Sequence, residues 1–155
     1  MFDSVITYLP MTIEDIDEVV TIEQVSFRTP WTYGAFLGEL TSNPVAMYLV
    51  GRVAGRIACY GGCWFIHDEA HITNVAVHPD FRGLGYGEGI CRMLMREGAL
   101  RGVTRATLEV RVSNISAQKL YQKLGFLPVG VRPKYYTDTQ EDALIMWKEG
   151  LSTSD

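Results

Sequence analysis

Residues 72–100, ITNVAVHPDFRGLGYGEGICRMLMREGAL, constrain the fold of this chain more than any other stretch. β-Branched residues at Ile72, Thr73, Val75 and Val77 read as a strand, and Pro79 and Asp80 end it. The run Arg82-Gly83-Leu84-Gly85-Tyr86-Gly87 follows. Ile90, Cys91, Leu94, Met95 and Ala99 then recur at helical spacing. A strand feeds a glycine-rich loop, and the loop feeds a helix. The first N–H groups of a helix lack partners inside it and carry the positive end of its dipole. Glycines let the backbone come close to a ligand. A pyrophosphate suits such a place without a lysine, and Arg82 adds a charged, forked donor. A glycine-rich turn with no ligand is the simpler alternative.

The loop lacks the Gly-Lys-Ser/Thr ending of a P-loop. Gly85-Tyr86-Gly87 and a downstream acid, Glu109, superficially suit a dinucleotide fold. That fold keeps its glycines tight against the strand, whereas residues 78–82 intervene here. Arg-x-x-Gly-x-Gly after a strand and a short Pro-containing loop instead resembles the acyl-CoA pyrophosphate loop of the GNAT superfamily of N-acetyltransferases.

The chain has 155 residues, enough for one domain with a sizeable core. Its net charge of −4 argues against a nucleic-acid partner and weakly favours a basic peptide or amine. No apolar run reaches membrane-spanning length and no signal-peptide pattern opens the chain, so a cytoplasmic protein is expected. Cys59, Cys63 and Cys91 are odd in number and form no CxxC, so they read as reduced core thiols. Cys63, His67 and His71 invite a metal, but Cys63 and His67 lie four residues apart along one expected strand, roughly 13 Å, too far to share one.

Taken in order, residues 5–9 read as a first strand. Thr12-x-x-Asp15 resembles a capping box opening a helix with Ile13, Ile16, Val19, Val20 and Ile22. Thr32 can cap a second helix carrying Phe36, Leu37 and Leu40, and Asn43-Pro44 ends it. An antiparallel meander follows over 46–53, 56–66 and 70–77. Gly61-Gly62 suggests a bulge or bend in its middle strand. After the long helix and its Arg101-Gly102 stop, residues 106–112 form a strand. A right-handed βαβ crossover makes it parallel to 72–77. Asn114 or Ser116 caps a helix over 117–124. Residues 126–130 begin another strand, 132–142 read as a polar loop containing Tyr135-Tyr136, and 143–147 form the last strand. Residues 1–150 are expected to be one domain, and 151–155 a disordered tail.

The order β-α-α-β-β-β-α-β-α-β-β resembles the GNAT fold over almost the whole chain. That fold is α/β, a mostly antiparallel mixed sheet with one splayed parallel pair and flanking helices. Phe27-Arg28-Thr29-Pro30-Trp31-Thr32, Ile72-Thr73-Asn74-Val75-Ala76-Val77-His78-Pro79 and Leu108-Glu109-Val110-Arg111-Val112-Ser113-Asn114 resemble segments of its RimI group. So do Leu120-Tyr121-Gln122-Lys123-Leu124-Gly125-Phe126 and Tyr135-Tyr136 with Glu141-Asp142-Ala143-Leu144-Ile145-Met146. That group acetylates protein N-termini from acetyl-CoA without a metal, in bacteria the N-terminal alanine of a small-subunit ribosomal protein. The resemblance implies that Val75, Ala76 and Val77 offer backbone to the pantetheine arm and thioester. It implies that Arg82, Gly83, Leu84, Gly85, Tyr86 and Gly87 hold the pyrophosphate, and that Asn114 contacts CoA. Glu109 would be the general base and Tyr121 the general acid. A monomer or weak homodimer is expected.

The residues themselves leave alternatives open. A peptide α-amine needs only ~1 kcal/mol to lose its proton at pH 7, against ~4.6 kcal/mol for a lysine, so a modest base suffices. Glu109 could be that base, or Thr107, Glu109 and Arg111 could simply form the polar face of a strand. Tyr121 shares an apolar helix face with Leu120 and Leu124, where packing alone would account for it. Trp31, Tyr135 and Tyr136 could wall a peptide groove or cover a sheet edge. Gly89 costs ~1 kcal/mol against Ala in a helix, so a bound cofactor or a close contact is expected there. Cys91, on the apolar helix face, is a poor nucleophile. The rival readings are a small-molecule amine N-acetyltransferase on the same fold and a non-catalytic acyl-CoA-binding module.

Overall fold

The computed structural model of the chain describes residues 5–153. Its elements are β1 (Thr7–Pro10), α1 (Ile16–Ser26), α2 (Tyr33–Ser42), β2 (Ala46–Val53), β3 (Arg56–Ile66), β4 (Glu69–Val77), α3 (Tyr86–Leu100), β5 (Arg105–Arg111), α4 (Ile115–Lys123), β6 (Leu127–Tyr136) and β7 (Glu141–Lys148). Single 3-10 turns occupy Ile13–Asp15 and Pro79–Phe81. Hydrogen-bonded neighbours run β1-β2-β3-β4-β5-β7-β6, a mixed seven-stranded sheet. Two compact units emerge. The first takes the chain up to Trp64 together with Thr73–Leu94, and the second takes Phe65–Ile72 together with the chain from Met95 onward.

In the first unit the local signals work as expected. The Asp15 carboxylate accepts from the Thr12 N–H at 2.8 Å and the Thr12 hydroxyl at 3.1 Å, and it also pairs with Arg52 of β2. Thr32 Oγ1 accepts from the Ala35 N–H and opens α2. Ile16, Val19 and Ile22 of α1 and Phe36 of α2 are buried against Tyr48, Val50, Ile57, Tyr60 and Ala76. Each such side chain contributes roughly 1.5–3 kcal/mol of burial. β1 begins at Thr7, two residues later than expected, because its ladder with β2 runs from Thr7↔Arg52 to Pro10↔Leu49.

Gly61-Gly62 marks no bulge against β2. The register passes through Leu49↔Gly61 and Tyr48↔Gly62, and the shift lies at Gly51/Arg52 instead. The glycines make room: a Cβ at Gly62 would stand 2.0 Å from the Tyr48 ring, and one at Gly61 would stand 3.1 Å from Ile90 and Leu94 of α3.

In the second unit β4 and β5 are parallel, pairing Glu69, Ala70 and His71 with Arg105, Ala106 and Thr107. Among the described residues that ladder ends there, although β4 continues to Val77 and β5 to Arg111. Ala106, Leu108 and Val110 point into the core, so Thr107, Glu109 and Arg111 share the other face. Asn114, not Ser116, caps α4, accepting from the Ala117 N–H at 3.1 Å.

The expected polar loop over 132–142 is wrong. Residues through Tyr136 belong to β6, which pairs with β7 down to Tyr136↔Glu141. β6 is an edge strand exposed along almost its whole length, so no buried face left a hydrophobic alternation to read. An edge also tolerates Pro133, and shifts at Pro128/Gly130 and Arg132/Tyr136 break the regular period. In the expected tail, the Leu151 N–H donates to the Thr104 carbonyl at 2.8 Å, and residues 154–155 lie outside the described residues.

Candidate active site

In the first unit, β4 runs out at Val77 into the Pro79–Phe81 turn. The turn is fixed from several sides. The His78 N–H donates to the Ala58 carbonyl at 2.8 Å, and His78 Nδ1 accepts from the Asp80 N–H at 3.0 Å. Arg56 pairs with Asp80 at 3.1 Å and lies over the Phe81 ring. Arg82, Gly83, Leu84 and Gly85 are exposed, and Tyr86 and Gly87 open α3. Gly83 and Gly85 have φ of +79° and +83°, which side chains with a Cβ rarely adopt. A Cβ at either would meet no atom within 4 Å, so backbone conformation, and not crowding, selects glycine there. The open loop leads into the first turn of α3, whose leading N–H groups lack partners inside the helix. Arg82 folds back, donating from Nε to the Val77 carbonyl at 3.1 Å.

Gly89 is explained by a close contact. The Tyr8 hydroxyl of β1 lies 2.0 Å from where a Cβ at Gly89 would be. Burial, then the neighbouring Cys59, Tyr86 and Cys91, push the Tyr8 phenol up to about 12. Cys91 is buried, and its thiol is likewise pushed up to about 12, as an inert core thiol would be. Trp31 sits 5.3 Å from the Phe36 ring and 6.3 Å from Tyr48, packed on the core as well as lying in the α1–α2 connection.

In the second unit, the polar face of β5 carries Glu109. The Glu109 side chain is only 11% exposed, and its Oε2 lies 2.7 Å from His71 Nε2. A carboxylate only accepts, so with Glu109 ionised the hydrogen sits on Nε2 of His71. Glu109 Oε1 faces the Arg132 Nε at 3.7 Å, beyond a hydrogen bond. The His71 hydrogen bond holds the Glu109 carboxyl below its usual range. Burial opposes this, and the charges of His71 and Arg132 assist it. Tyr135 and Tyr136 stand edge to face at 5.1 Å, and both phenols feel the Glu109 charge.

Arg111 clasps the β6–β7 turn, with a two-pronged pair to Asp138 at 2.7 and 3.0 Å and its guanidinium 4.1 Å from the Tyr136 ring centre. Tyr121 is buried edge to face on Phe126 at 5.8 Å. Asn114 spends its Oδ1 on the α4 cap. Sequence reasoning missed His71 and Arg132. The expected parallel pairing was the available signal for His71, but only the register sets it opposite Thr107, one pleat from Glu109.

The profile of the acetyltransferase (GNAT) family matches residues 13–126. The chain belongs to the GNAT acetyltransferase family. A GNAT relative from Bacillus subtilis (strain 168), provisionally named a ribosomal protein bS18-alanine N-acetyltransferase, is 49% identical over 137 residues, 88% of this chain and 91% of its own. The ribosomal protein bS18-alanine N-acetyltransferase of Escherichia coli (strain K12) is 37% identical over 136 residues, 85% of this chain and 89% of its own. The crystal structure of the Escherichia coli ribosomal-protein-S18-alanine N-acetyltransferase superposes with a TM-score of 0.86 at 32% identity, covering 96% of this chain and 95% of that one. The GNAT fold expected from the sequence is the fold observed. No helix among the described residues is long and apolar enough to cross a membrane.

Proposed function

We propose that this GNAT enzyme transfers the acetyl group of acetyl-CoA to the N-terminal α-amine of a protein, and that its substrate is the N-terminal alanine of ribosomal protein bS18. Near-full-length similarity to relatives that carry this activity in their names is the observation that carries the reading. Residues 1–150 act as one catalytic domain. Acetyl-CoA brings the activated acyl group. Val75, Ala76 and Val77 offer backbone groups to its pantetheine arm and thioester. Arg82, Gly83, Leu84, Gly85, Tyr86 and Gly87 take the pyrophosphate, a role that the open, positive-φ glycines suit. For Arg82 this requires release of its contact with the Val77 carbonyl.

Glu109 accepts the proton that the attacking amine gives up as the new C–N bond forms. His71 fixes one of its oxygens, which leaves Oε1 to receive that proton. Tyr121 supplies a proton to the sulfur as the C–S bond breaks, and its hydroxyl and a thiol have comparable proton affinities. Asn114 contacts CoA through its amide side chain, and Trp31, Tyr135 and Tyr136 meet the peptide. Taking the proton from an α-amine at neutral pH costs only ~1 kcal/mol, so a carboxylate held ionised is base enough.

CoA release from acetyl-CoA with two peptides tests this. One begins with the alanine of the organism's own bS18 and contains a lysine. The other is identical but already acetylated at its N-terminus. Release with the first alone supports the reading. Equal release with both points to lysine, and release only with free amines or polyamines points to a small-molecule enzyme.

A further inference from the structure

The first unit holds a carboxylate that the proposed chemistry does not use. Glu23 of α1 is 2% exposed. Its Oε2 accepts from the Trp31 backbone N–H at 2.9 Å. Its Oε1 accepts from the Tyr60 hydroxyl of β3 and, at 3.4 Å, from Asn74 Nδ2 of β4. Burial, and then the Glu23 charge, push the Tyr60 phenol far up, so it stays a donor. All three donors are neutral. A buried carboxylate held this way is costly unless each donor stays in place.

The polar chain continues through β4. Thr73 Oγ1 donates to Asn74 Oδ1 at 2.9 Å and lies 3.1 Å from the Tyr48 hydroxyl. Tyr48 donates to Glu39 Oε1 of α2 at 2.7 Å, and Trp64 Nε1 donates to the same oxygen at 2.6 Å. Of the two helices that flank Trp31, α1 is tied directly to Asn74 through Glu23, while α2 is tied through Glu39 to Tyr48, whose hydroxyl stands beside Thr73. The Thr73-Asn74 pair immediately precedes the segment Val75-Ala76-Val77.

We propose that Glu23 and Asn74 are positioning residues that lock the Pro30-Trp31 segment to β4, and so set where the substrate peptide lies relative to the acetyl group. The inference rests on the reading of β4 as the acetyl-CoA strand and of Trp31 as a peptide contact.

Hydrogen-bond capacity makes the lock testable. A glutamine at position 23 has one accepting oxygen and one donating NH2. Its oxygen is drawn to the Oε1 position, where Tyr60 and Asn74 both donate, so its NH2 faces the Trp31 N–H and that tie is lost. Asn74→Asp alone sets two carboxylates together. In the double variant Glu23→Gln/Asn74→Asp, the glutamine oxygen takes Trp31 and its NH2 donates to Asp, so both ties return.

Steady-state kinetics with the alanine peptide and amide exchange at Trp31 supply the measurements. Each single variant is expected to raise the peptide KM about tenfold, with the acetyl-CoA KM within about twofold, and the double variant to return to within about twofold of wild type. Glu23→Gln also exposes the Trp31 amide to faster exchange, by about tenfold or more. If Trp31 exchange and peptide KM are unchanged in Glu23→Gln, or if the double variant is no better than the worse single, the proposal is overturned. Should Glu23→Gln fail to fold, Asn74→Ala cuts the strand tie, together with the Thr73 bond to Asn74, leaves Glu23 on Trp31, and is read by the same KM comparison. The exchange measurement needs no substrate. A wild-type protein that acetylates no N-terminal peptide would therefore sink the proposed function while leaving the lock decided by exchange.

Discussion

Glu23 and Glu109 are both carboxylates withdrawn from solvent, one in each compact unit, and their surroundings differ in kind. Glu23 is saturated: both oxygens hold a hydrogen bond from a neutral donor. Glu109 is poised: one oxygen is held by His71 at 2.7 Å, while the other looks at Arg132 across 3.7 Å. A saturated carboxylate fixes structure, because any new donor must evict an old one. A carboxylate with one oxygen uncommitted to a hydrogen bond can take a proton from something that arrives. Burial alone does not separate the two, and the count of committed oxygens does.

The largest expected effect is that of Glu109→Gln. It should lower kcat about 10²- to 10⁴-fold with little change in melting temperature, read by CoA release. A loss below about tenfold would erase the distinction between the two carboxylates. Tyr121→Phe should cost less, about 10- to 100-fold in kcat, because a thiolate already leaves readily.

His71→Phe should lower kcat about tenfold, and its decisive readout is the titration of Glu109 itself by carbon NMR. With the His71 bond gone, its largest lowering influence is lost and burial is opposed by the more distant Arg132 and a backbone hydrogen bond at Glu109, so the Glu109 midpoint moves up. The sign carries over to stability. A carboxyl whose folded pKa is depressed contributes stability that is present above its unfolded value and fades as pH falls through the folded value. His71→Phe should therefore flatten the acid limb of the stability curve near and below pH 4. An unmoved midpoint would mean that His71 merely packs beside Glu109. The smallest effect is assigned to Arg132→Gln, about two- to fivefold in kcat, since Arg132 is 57% exposed and its ion pair is screened.

Features carried by adjacent residues were legible in the sequence. The Thr12–Asp15 box, the Thr32 cap, the bounds of β2 and β3, and the strand-loop-helix over 72–100 each follow from local chemistry. The parallel β4–β5 pair followed from the handedness of a crossover. What stayed hidden depends on register or on empty space. His71 meets Glu109 only because of where two strands happen to align. Gly61 and Gly62 look like a weak spot in a strand, but they are the room needed by Ile90, Leu94 and the Tyr48 ring. β6 concealed itself because an edge strand has no buried side to betray its period. The candidate base and acid were named from family likeness, whereas the partners that tune the base were visible only in three dimensions.

The Tyr8 hydroxyl fills the space beside Gly89, so two positions 81 residues apart in the chain are bound into one evolutionary unit. A lineage that gains helix propensity by placing alanine at 89 must first shorten the residue at 8, and one that loses the tyrosine is released from the glycine. Substitutions at these two sites should therefore appear as a pair across descendants. An engineer stabilising the start of α3 would need to change both at once.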